Sequence, residues 1–121
     1  SQAALAMIRS LTRFACNAPV VLLLCADLSK AWKSPVEHGY NTGEMDVSIV
    51  GIHMMLEAWE LGIGSVWVRG FDPRQVAKAF ALPPTIQPIC LLPIGYPGKD
   101  SAPYAQWHTS YRPLSEMVEE R

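Results

Sequence analysis

One stretch of the sequence decides the fold: Leu61-Gly62-Ile63-Gly64-Ser65-Val66-Trp67-Val68-Arg69-Gly70-Phe71-Asp72-Pro73. Gly62 suits the left-handed conformation in which many helices end. The residues Ser65–Arg69 predict a short strand, because two of them are valines and one is a tryptophan. Asp72 before Pro73 is typical of a helix start, with a cap residue followed by proline in the first turn. The stretch therefore joins a helix, a strand and a second helix.

The two glycines Gly62 and Gly64 resemble part of a dinucleotide-binding fingerprint, but their context excludes that site. The fingerprint follows a strand and opens a helix, whereas these glycines close a helix and open a strand. The spacing of a P-loop is also absent. We therefore interpret this segment as a connection between structural elements and not as a nucleotide loop.

The segments upstream alternate between helical and strand patterns. The spacing of apolar residues predicts a helix over Gln2–Cys16, and the continuous apolar run Val20–Ala26 predicts a strand buried on both faces. Asp27–Trp32 has room for one or two helical turns, and Lys33–Glu44 is a loop by composition. Asp46 is expected to cap a helix that runs to about Leu61; it is apolar on nearly all sides, so we expect it to be central and buried.

The downstream segments continue the alternation. The helix that begins at Asp72 is expected to end at Leu82-Pro83-Pro84. The next segments are a strand at Ile86–Gly95, a loop at Tyr96–Ser110 and a short helix at Leu114–Glu120. Pro88 and Pro93 should lie at an end or an irregularity of their strand, because proline cannot donate to a sheet. Nothing marks a domain boundary, so residues 1–121 are expected to form a single α+β domain with at least three strands.

Composition and charge exclude several classes of protein. Ten basic residues face eleven acidic ones without any basic run, which argues against a nucleic-acid binder or a polybasic membrane anchor. The apolar run is too short to span a bilayer, and the first residues show no charged region leading into an apolar one, so we expect no signal peptide. The dispersed Cys16, Cys25 and Cys90 predict reduced cysteines in a cytoplasmic protein and no metal site. Half of the residues are hydrophobic, so we expect this small domain to bury apolar surface against a partner.

No side chain stands out as a catalytic acid, base or nucleophile. The histidines His38, His53 and His108 are dispersed, and no metal-binding or triad spacing connects them. His53 is interpreted as a structural histidine of the central helix; His38 either touches a substrate or is a solvated loop residue. Glu57 and Glu60 lie three apart on one helix, which is more typical of a polar flank or a subunit contact than of an acid–base pair.

Short motifs follow one another along nearly the whole chain. They are Ala18-Pro19-Val20-Val21, Cys25-Ala26-Asp27, Asp46, Met54-Met55-Leu56, Leu61-Gly62-Ile63-Gly64, Gly70-Phe71-Asp72-Pro73, Leu82-Pro83, Leu92-Pro93-Ile94-Gly95-Tyr96-Pro97, and Arg112-Pro113-Leu114 with Glu116. In this order and spacing the motifs resemble those of the FMN-dependent nitroreductase family.

The resemblance implies a nitroreductase-like three-layer sandwich with a mixed sheet around the buried central helix, in an intertwined homodimer. It also implies an oxidoreductase that passes two electrons from NAD(P)H through FMN, bound at the dimer interface, to a nitroaromatic, quinone or similar small-molecule acceptor. Dehalogenating and flavin-destroying proteins share this fold. The loop Lys33–Glu44 is expected to help define the acceptor pocket.

By position, the resemblance assigns Trp67, Val68, Arg69 and Gly70 to the lining of the flavin ring. The backbone N–H groups near Arg69 and Gly70 would face the N5 and O4 edge of the flavin. Donors fixed at the end of a strand would stabilise the negatively charged reduced flavin without rearrangement. Gly70 would let the ring approach the backbone closely; the alternative is a turn glycine that only precedes the next helix cap.

Arg112 is the candidate for the FMN phosphate, because a guanidinium binds phosphate through paired hydrogen bonds. The family often has a basic residue also two positions before the proline. In this sequence that position is Tyr111, which departs from the family pattern. The alternative is a plain surface arginine.

Family members carry an N-terminal stretch with an Arg-rich motif that contacts FMN, and the resemblance covers the C-terminal two-thirds of their length. We therefore expect residues 1–121 to supply half of a flavin site, the other half preceding Ser1 or lying on a partner subunit. Two hypotheses follow. The protein is an FMN-dependent oxidoreductase, or it is a non-catalytic, flavin-free relative that dimerises or binds a ligand.

Overall fold

A three-stranded sheet lies between helices on both of its faces in the computed structural model, which describes residues 1–101, 106 and 109–119. The elements in chain order are α1 (Gln2–Leu11), a 3-10 helix (Arg13–Ala15), β1 (Val20–Asp27), α2 (Gly43–Glu60), β2 (Gly64–Ser65), α3 (Pro73–Ala79), β3 (Ile86–Gly95) and a final 3-10 helix (Leu114–Glu116). The predicted α+β class and its three layers are confirmed.

The central strand β3 pairs antiparallel with β1 on one side and with β2 on the other. The prediction of a mixed sheet is therefore wrong for the described strands. β1 and β2 run in the same direction, but β3 separates them, so they form no parallel pair.

The two prolines of β3 mark the irregularities of the sheet, as predicted. Leu24 faces Cys90 while Cys25 faces Pro88, so a bulge lies between these pairs. Pro93 accepts a hydrogen bond from the Val66 N–H at 3.2 Å but has no N–H to return. The strand predicted at Ser65–Arg69 is consequently reduced to Gly64–Ser65, followed by an isolated bridge between Val68 and Leu91.

Side chains of β3 alternate between two hydrophobic cores. Leu91 packs on one face of the sheet with Ile8 of α1 and Val76 of α3. Cys90 and Leu92 pack on the other face, where α2 lies. All three of these β3 residues are at most 1% exposed, because neighbouring strands cover the edges of β3 and helices cover its faces.

The helix α2 is not buried in the single chain, contrary to the prediction. Only Gly43 and Gly51 of this helix are buried. Val47 and Met55 pack on the sheet, but Ile49 remains 54% exposed. The helix carries apolar side chains around most of its circumference. Among the described residues, the sheet covers only one side of it.

The ends of four helices differ from the prediction, including α3, which ends at Ala79 and not at Leu82. α1 stops at Leu11 and not at Cys16, because Thr12 adopts an extended conformation with φ −153° and ψ 137°. α2 begins after Thr42, so Asp46 is not its cap; Asp46 lies in the first turn and accepts a hydrogen bond from Thr42 Oγ1 at 2.7 Å.

The helix predicted at Leu114–Glu120 is one 3-10 turn over Leu114–Glu116, and Glu120 lies outside the described residues. The start of α3 is confirmed, since Asp72 accepts a hydrogen bond from the Arg74 N–H.

The segment between β1 and α2 contains a helical turn and a bridge. Asp27 begins one helical turn, closed by a hydrogen bond from the Ala31 N–H to the Asp27 carbonyl at 3.0 Å. In the predicted loop Lys33–Glu44, Lys33 forms an isolated bridge with Asn41, and the last two residues already belong to α2. None of the helices that the structure describes is both long and apolar enough to cross a membrane.

The contact between α2 and the segment after β2 depends on the absence of a side chain at Gly51. A Cβ added to Gly51 would lie 2.5 Å from Cζ3 of Trp67 and 3.1 Å from Cδ2 of Leu24. The indole ring of Trp67 therefore lies directly against the backbone of α2.

Replacing Gly51 by alanine is expected to lower the free energy of unfolding by about 1–3 kcal/mol through overpacking, although alanine ordinarily favours a helix by about 1 kcal/mol over glycine. Urea denaturation measures the change. Gly98→Ala is the control, because a Cβ there would meet only Ser101 Oγ at 3.6 Å. A Gly51→Ala variant as stable as the unsubstituted chain would contradict the packing.

Candidate functional site

The segment Trp67–Gly70 leaves the sheet at the end of its contact with β3. Val68 is its anchor: its N–H donates to the Leu91 carbonyl and its carbonyl accepts from the Leu91 N–H, both at 2.9 Å. The Val68 side chain is 5% exposed and packs in the core between the sheet, α1 and α3. Val68 thus turns its side chain into the protein and holds the segment in place through its backbone.

Arg69 and Gly70 follow this anchor and are exposed. The Arg69 guanidinium lies over the Phe71 ring, with Cζ 5.5 Å from the ring centroid. The Phe71 N–H donates to the Arg69 carbonyl at 2.9 Å, which closes a tight turn at Gly70. Among the described residues, no group accepts a hydrogen bond from the N–H of Arg69 or of Gly70. The segment therefore presents two neighbouring backbone donors at the protein surface.

Gly70 is covered on one side by the short 3-10 segment that follows α1. A Cβ added to Gly70 would lie 2.6 Å from Cδ2 and Cε2 of the Phe14 ring. Thr12 Oγ1 donates to the Gly70 carbonyl at 2.9 Å. Helical periodicity in the sequence points to neither residue's role here, because both fall within the helix predicted over Gln2–Cys16. The available signal was Thr12 itself, since a threonine hydroxyl often bonds the backbone N–H two residues on and ends a helix.

The structure brings Trp67, Val68, Arg69 and Gly70 together but does not add Arg112 to them. Arg112 is exposed and lies just before the final 3-10 helix. In the part of the chain that the structure describes, no hydrogen bond or ion pair connects Arg112 with the Trp67–Gly70 segment.

Two apolar clefts flank the residues 64–66 that precede the segment. The first, of about 760 Å³, lies between α2 and the Gly64–Trp67 backbone, and Ile52, Met55 and Leu56 line its helical wall. The second, of about 770 Å³, lies on the other side of Gly64, between residues 16–19 and the end of β3. Both fall in the size range of sites for small molecules and cofactors. Of the Trp67–Gly70 segment, only Trp67 lines a cleft, and it lines the first.

The histidines and acidic residues do not form a catalytic group in the described residues. His53 is exposed on α2, with Nδ1 2.8 Å from the Ile49 carbonyl. His38 is exposed in its loop, and His108 lies outside the described residues. Glu57 and Glu60 are exposed as well. No cluster of three or more His, Cys, Asp or Glu residues suited to a metal ion occurs in the described ranges.

Burial controls the ionisation of the two cysteines in the sheet. Burial raises the pKa of Cys90 to about 11, against the opposing effect of the positive charge on Arg69. Burial also raises the pKa of Cys25. Cys16 is free and exposed. The sheet beneath the site therefore carries neutral thiols at ordinary pH.

The family model of the nitroreductases matches residues 4–96. The chain belongs to the nitroreductase family. Trp67 to Gly70 lie within the matched residues, whereas Arg112 lies beyond them.

Solved structures and a curated relative agree with the nitroreductase assignment. A crystal structure of a nitroreductase family protein from Clostridium difficile 630 is 37% identical with a TM-score of 0.83, covering 94% of this chain and 65% of that one. A protein of Methanothermobacter thermautotrophicus, named “Putative NADH dehydrogenase/NAD(P)H nitroreductase”, is 29% identical over 89 residues, which are 69% of this chain and 43% of that protein.

A third relative, named as a nitroreductase and solved in complex with FMN, comes from Exiguobacterium sibiricum 255-15. It is 25% identical with a TM-score of 0.54 and covers 65% of this chain and 36% of that one. The chain thus spans less than half of the curated relative and about two-thirds of the Clostridium protein.

Raising the pH from about 9 to about 11 is expected to destabilise the fold through Cys90. The folded-state pKa of about 11 exceeds the reference value of 9.0, so the folded chain keeps a proton that the unfolded chain has released. The stabilising contribution is complete below pH 9 and is lost as the pH rises toward 11. Urea denaturation at the two ends of this range should show a smaller loss of unfolding free energy in Cys90→Ala than in Cys16→Ala. Equal losses in the two variants would contradict the assignment.

Proposed function

We propose that this nitroreductase is an FMN-dependent oxidoreductase, with Trp67, Val68, Arg69 and Gly70 at the flavin ring. The observation that carries the proposal is the pair of exposed N–H donors at Arg69 and Gly70, which no described residue uses. The FMN complex of the Exiguobacterium relative supports the choice of cofactor. Electrons would come from NAD(P)H and go to a small-molecule acceptor such as a nitroaromatic or a quinone.

The residues present fit a flavin. The ring edge of FMN carries neighbouring acceptor atoms, N5 and O4, and the segment offers two neighbouring donors. The apolar cleft beside Trp67 fits the flat, largely apolar ring system. Phe14 covers one side of Gly70, so a ligand would approach the segment from its other side.

The bound flavin would supply the chemistry of hydride transfer. The protein would contribute donors that already point in a fixed direction, which stabilises negative charge on the reduced ring without rearrangement. Val68 keeps these donors in register with the sheet through its paired hydrogen bonds to Leu91. No side-chain nucleophile takes part in this proposal. Arg112 would hold the FMN phosphate, which its exposed, permanently charged guanidinium can bind through two bonds.

A homodimer completes the proposal. α2 exposes large apolar side chains, and five of them recur at helical spacing along one side: Met45, Ile49, Ile52, Leu56 and Trp59. Monomeric proteins rarely expose an apolar patch of this extent. A second copy of the chain would cover it. The three cysteines are free, which supports a location in the reducing cytoplasm.

Protein supplied with FMN and then freed of unbound FMN is expected to retain a flavin absorbance spectrum and to lose that absorbance when NAD(P)H is added without oxygen. The free donors and the cleft give the physical reason. Anaerobic absorbance spectroscopy is the measurement. A colourless protein that leaves added FMN unchanged would favour the alternative function, a flavin-free relative that dimerises or binds another ligand.

The same assay tests Arg112. Arg112→Ala should weaken FMN binding roughly tenfold or more, the usual effect of losing a charged hydrogen bond. It should leave the binding of riboflavin unchanged, because riboflavin has no phosphate. Lys78→Ala, which removes an exposed positive charge on α3, should affect neither ligand. Equal losses for FMN and riboflavin would exclude the phosphate role.

Ile49→Glu is expected to convert the dimer into a monomer, because it places a charge in the middle of the apolar side of α2. Sedimentation equilibrium measures the change in mass. Val36→Glu is the matched control, since Val36 is 88% exposed in the loop before α2 and should leave the dimer intact. An unsubstituted chain that sediments as a monomer would remove the proposed interface.

A further inference from the structure

Thr12 is the one buried polar residue in the described ranges, with 7% of its surface exposed. Its hydroxyl makes two hydrogen bonds. Oγ1 accepts from the Phe14 N–H at 3.1 Å and donates to the Gly70 carbonyl at 2.9 Å. The first bond starts the 3-10 helix after α1. The second reaches across 58 residues of sequence to the segment with the free donors.

The bond to Gly70 completes a series of three fixed peptide groups. The peptide that carries the Arg69 N–H is held at its carbonyl by Leu91, and the one that carries the Gly70 N–H is held at its carbonyl by Phe71. The Phe71 N–H in turn belongs to the peptide whose carbonyl Thr12 holds. Because a peptide group is planar, fixing its carbonyl also fixes the direction of its N–H. Thr12 therefore anchors the far end of the series.

Phe14, whose N–H donates to the Thr12 hydroxyl, packs on the same glycine. Its ring lies where a Gly70 side chain would stand, and the Arg13 guanidinium covers that ring at 4.9 Å from the centroid. One hydroxyl thus fixes both the Gly70 carbonyl and the backbone that carries the ring packed on Gly70.

We propose that Thr12 is a positioning residue of the flavin site, which orients the Arg69 and Gly70 N–H groups toward the ligand by holding the Gly70–Phe71 peptide. This inference rests on the proposed function. Thr12 itself does not touch the cofactor; it limits the movement of donors that do. Its loss should matter most for the reduced flavin, whose negative charge depends on donors that are already in place.

Thr12→Val and Thr12→Ser are the matched variants, because valine keeps the shape and loses the hydroxyl while serine keeps the hydroxyl. In the flavin-free chain, Thr12→Val should speed hydrogen exchange of the Phe71 amide roughly three- to tenfold, as expected for one lost hydrogen bond. The Leu92 amide in β3 reports whether the fold is intact. With FMN, Thr12→Val should weaken binding by a similar factor and make the flavin midpoint potential more negative. Thr12→Ser should restore all three readouts.

The outcomes separate this inference from the function on which it rests. If Thr12→Val and the unsubstituted chain share the same FMN affinity and midpoint potential, the positioning role is wrong. If Thr12→Ser changes the three readouts as much as Thr12→Val does, the lost packing and not the lost hydroxyl causes the change. The positioning role is then also wrong. An unsubstituted chain that takes up no FMN overturns the proposed function, while the Phe71 exchange rate still decides whether Thr12 holds this peptide. Thr12→Ala provides a second hydroxyl-free variant if Thr12→Val does not fold.

Discussion

The burial of β3 between two strands and two helical layers is the constraint on which the rest of the structure depends. Its residues Ile89–Leu92 are at most 1% exposed, and burying one large aliphatic side chain contributes about 1.5–3 kcal/mol. Because side chains alternate along a strand, this short segment supplies both cores at once. α1 and α3 pack on one face and α2 on the other, so their positions are set by the same few residues.

This constraint extends directly to the candidate site. Val68 is paired with Leu91, the most central residue of β3, and its side chain lies in the same core as that of Leu91. Pro93 interrupts the pairing of β2 with β3, since it cannot donate, and the chain there turns Trp67 onto the backbone of α2 at Gly51. The donors of Arg69 and Gly70 therefore stand one and two residues beyond Val68, which two hydrogen bonds hold. An irregular sheet edge thereby leaves unused backbone groups directly after an isolated bridge.

The parts of the fold that depend on local sequence could be predicted, and those that depend on distant contacts could not. The bounds of β3 and the cap at Asp72 follow from an apolar run and a capping pair, and both are confirmed. α1 ends early because Thr12 bonds to Gly70, a partner that no helical periodicity reveals. The order of strands in the sheet is likewise a tertiary property. For the site, the motif located the Trp67–Gly70 segment with its exposed Arg69 and Gly70, whereas the contacts of Thr12 and Phe14 with Gly70 became visible only in the structure.

The prediction that α2 is buried was wrong for the single chain. An apolar pattern indicates that a surface is covered, but it does not identify the element or partner that covers it. The sheet covers one side of α2, and Ile52, Met55 and Leu56 continue from the exposed side into the wall of the cleft beside Trp67. In the proposed dimer, a second copy on α2 would also close this cleft. Dimer formation and ligand binding would then draw on one apolar surface, and each would stabilise the other by mass action. A surface that serves both dimer formation and ligand binding would require α2 to carry more apolar side chains than one chain can bury.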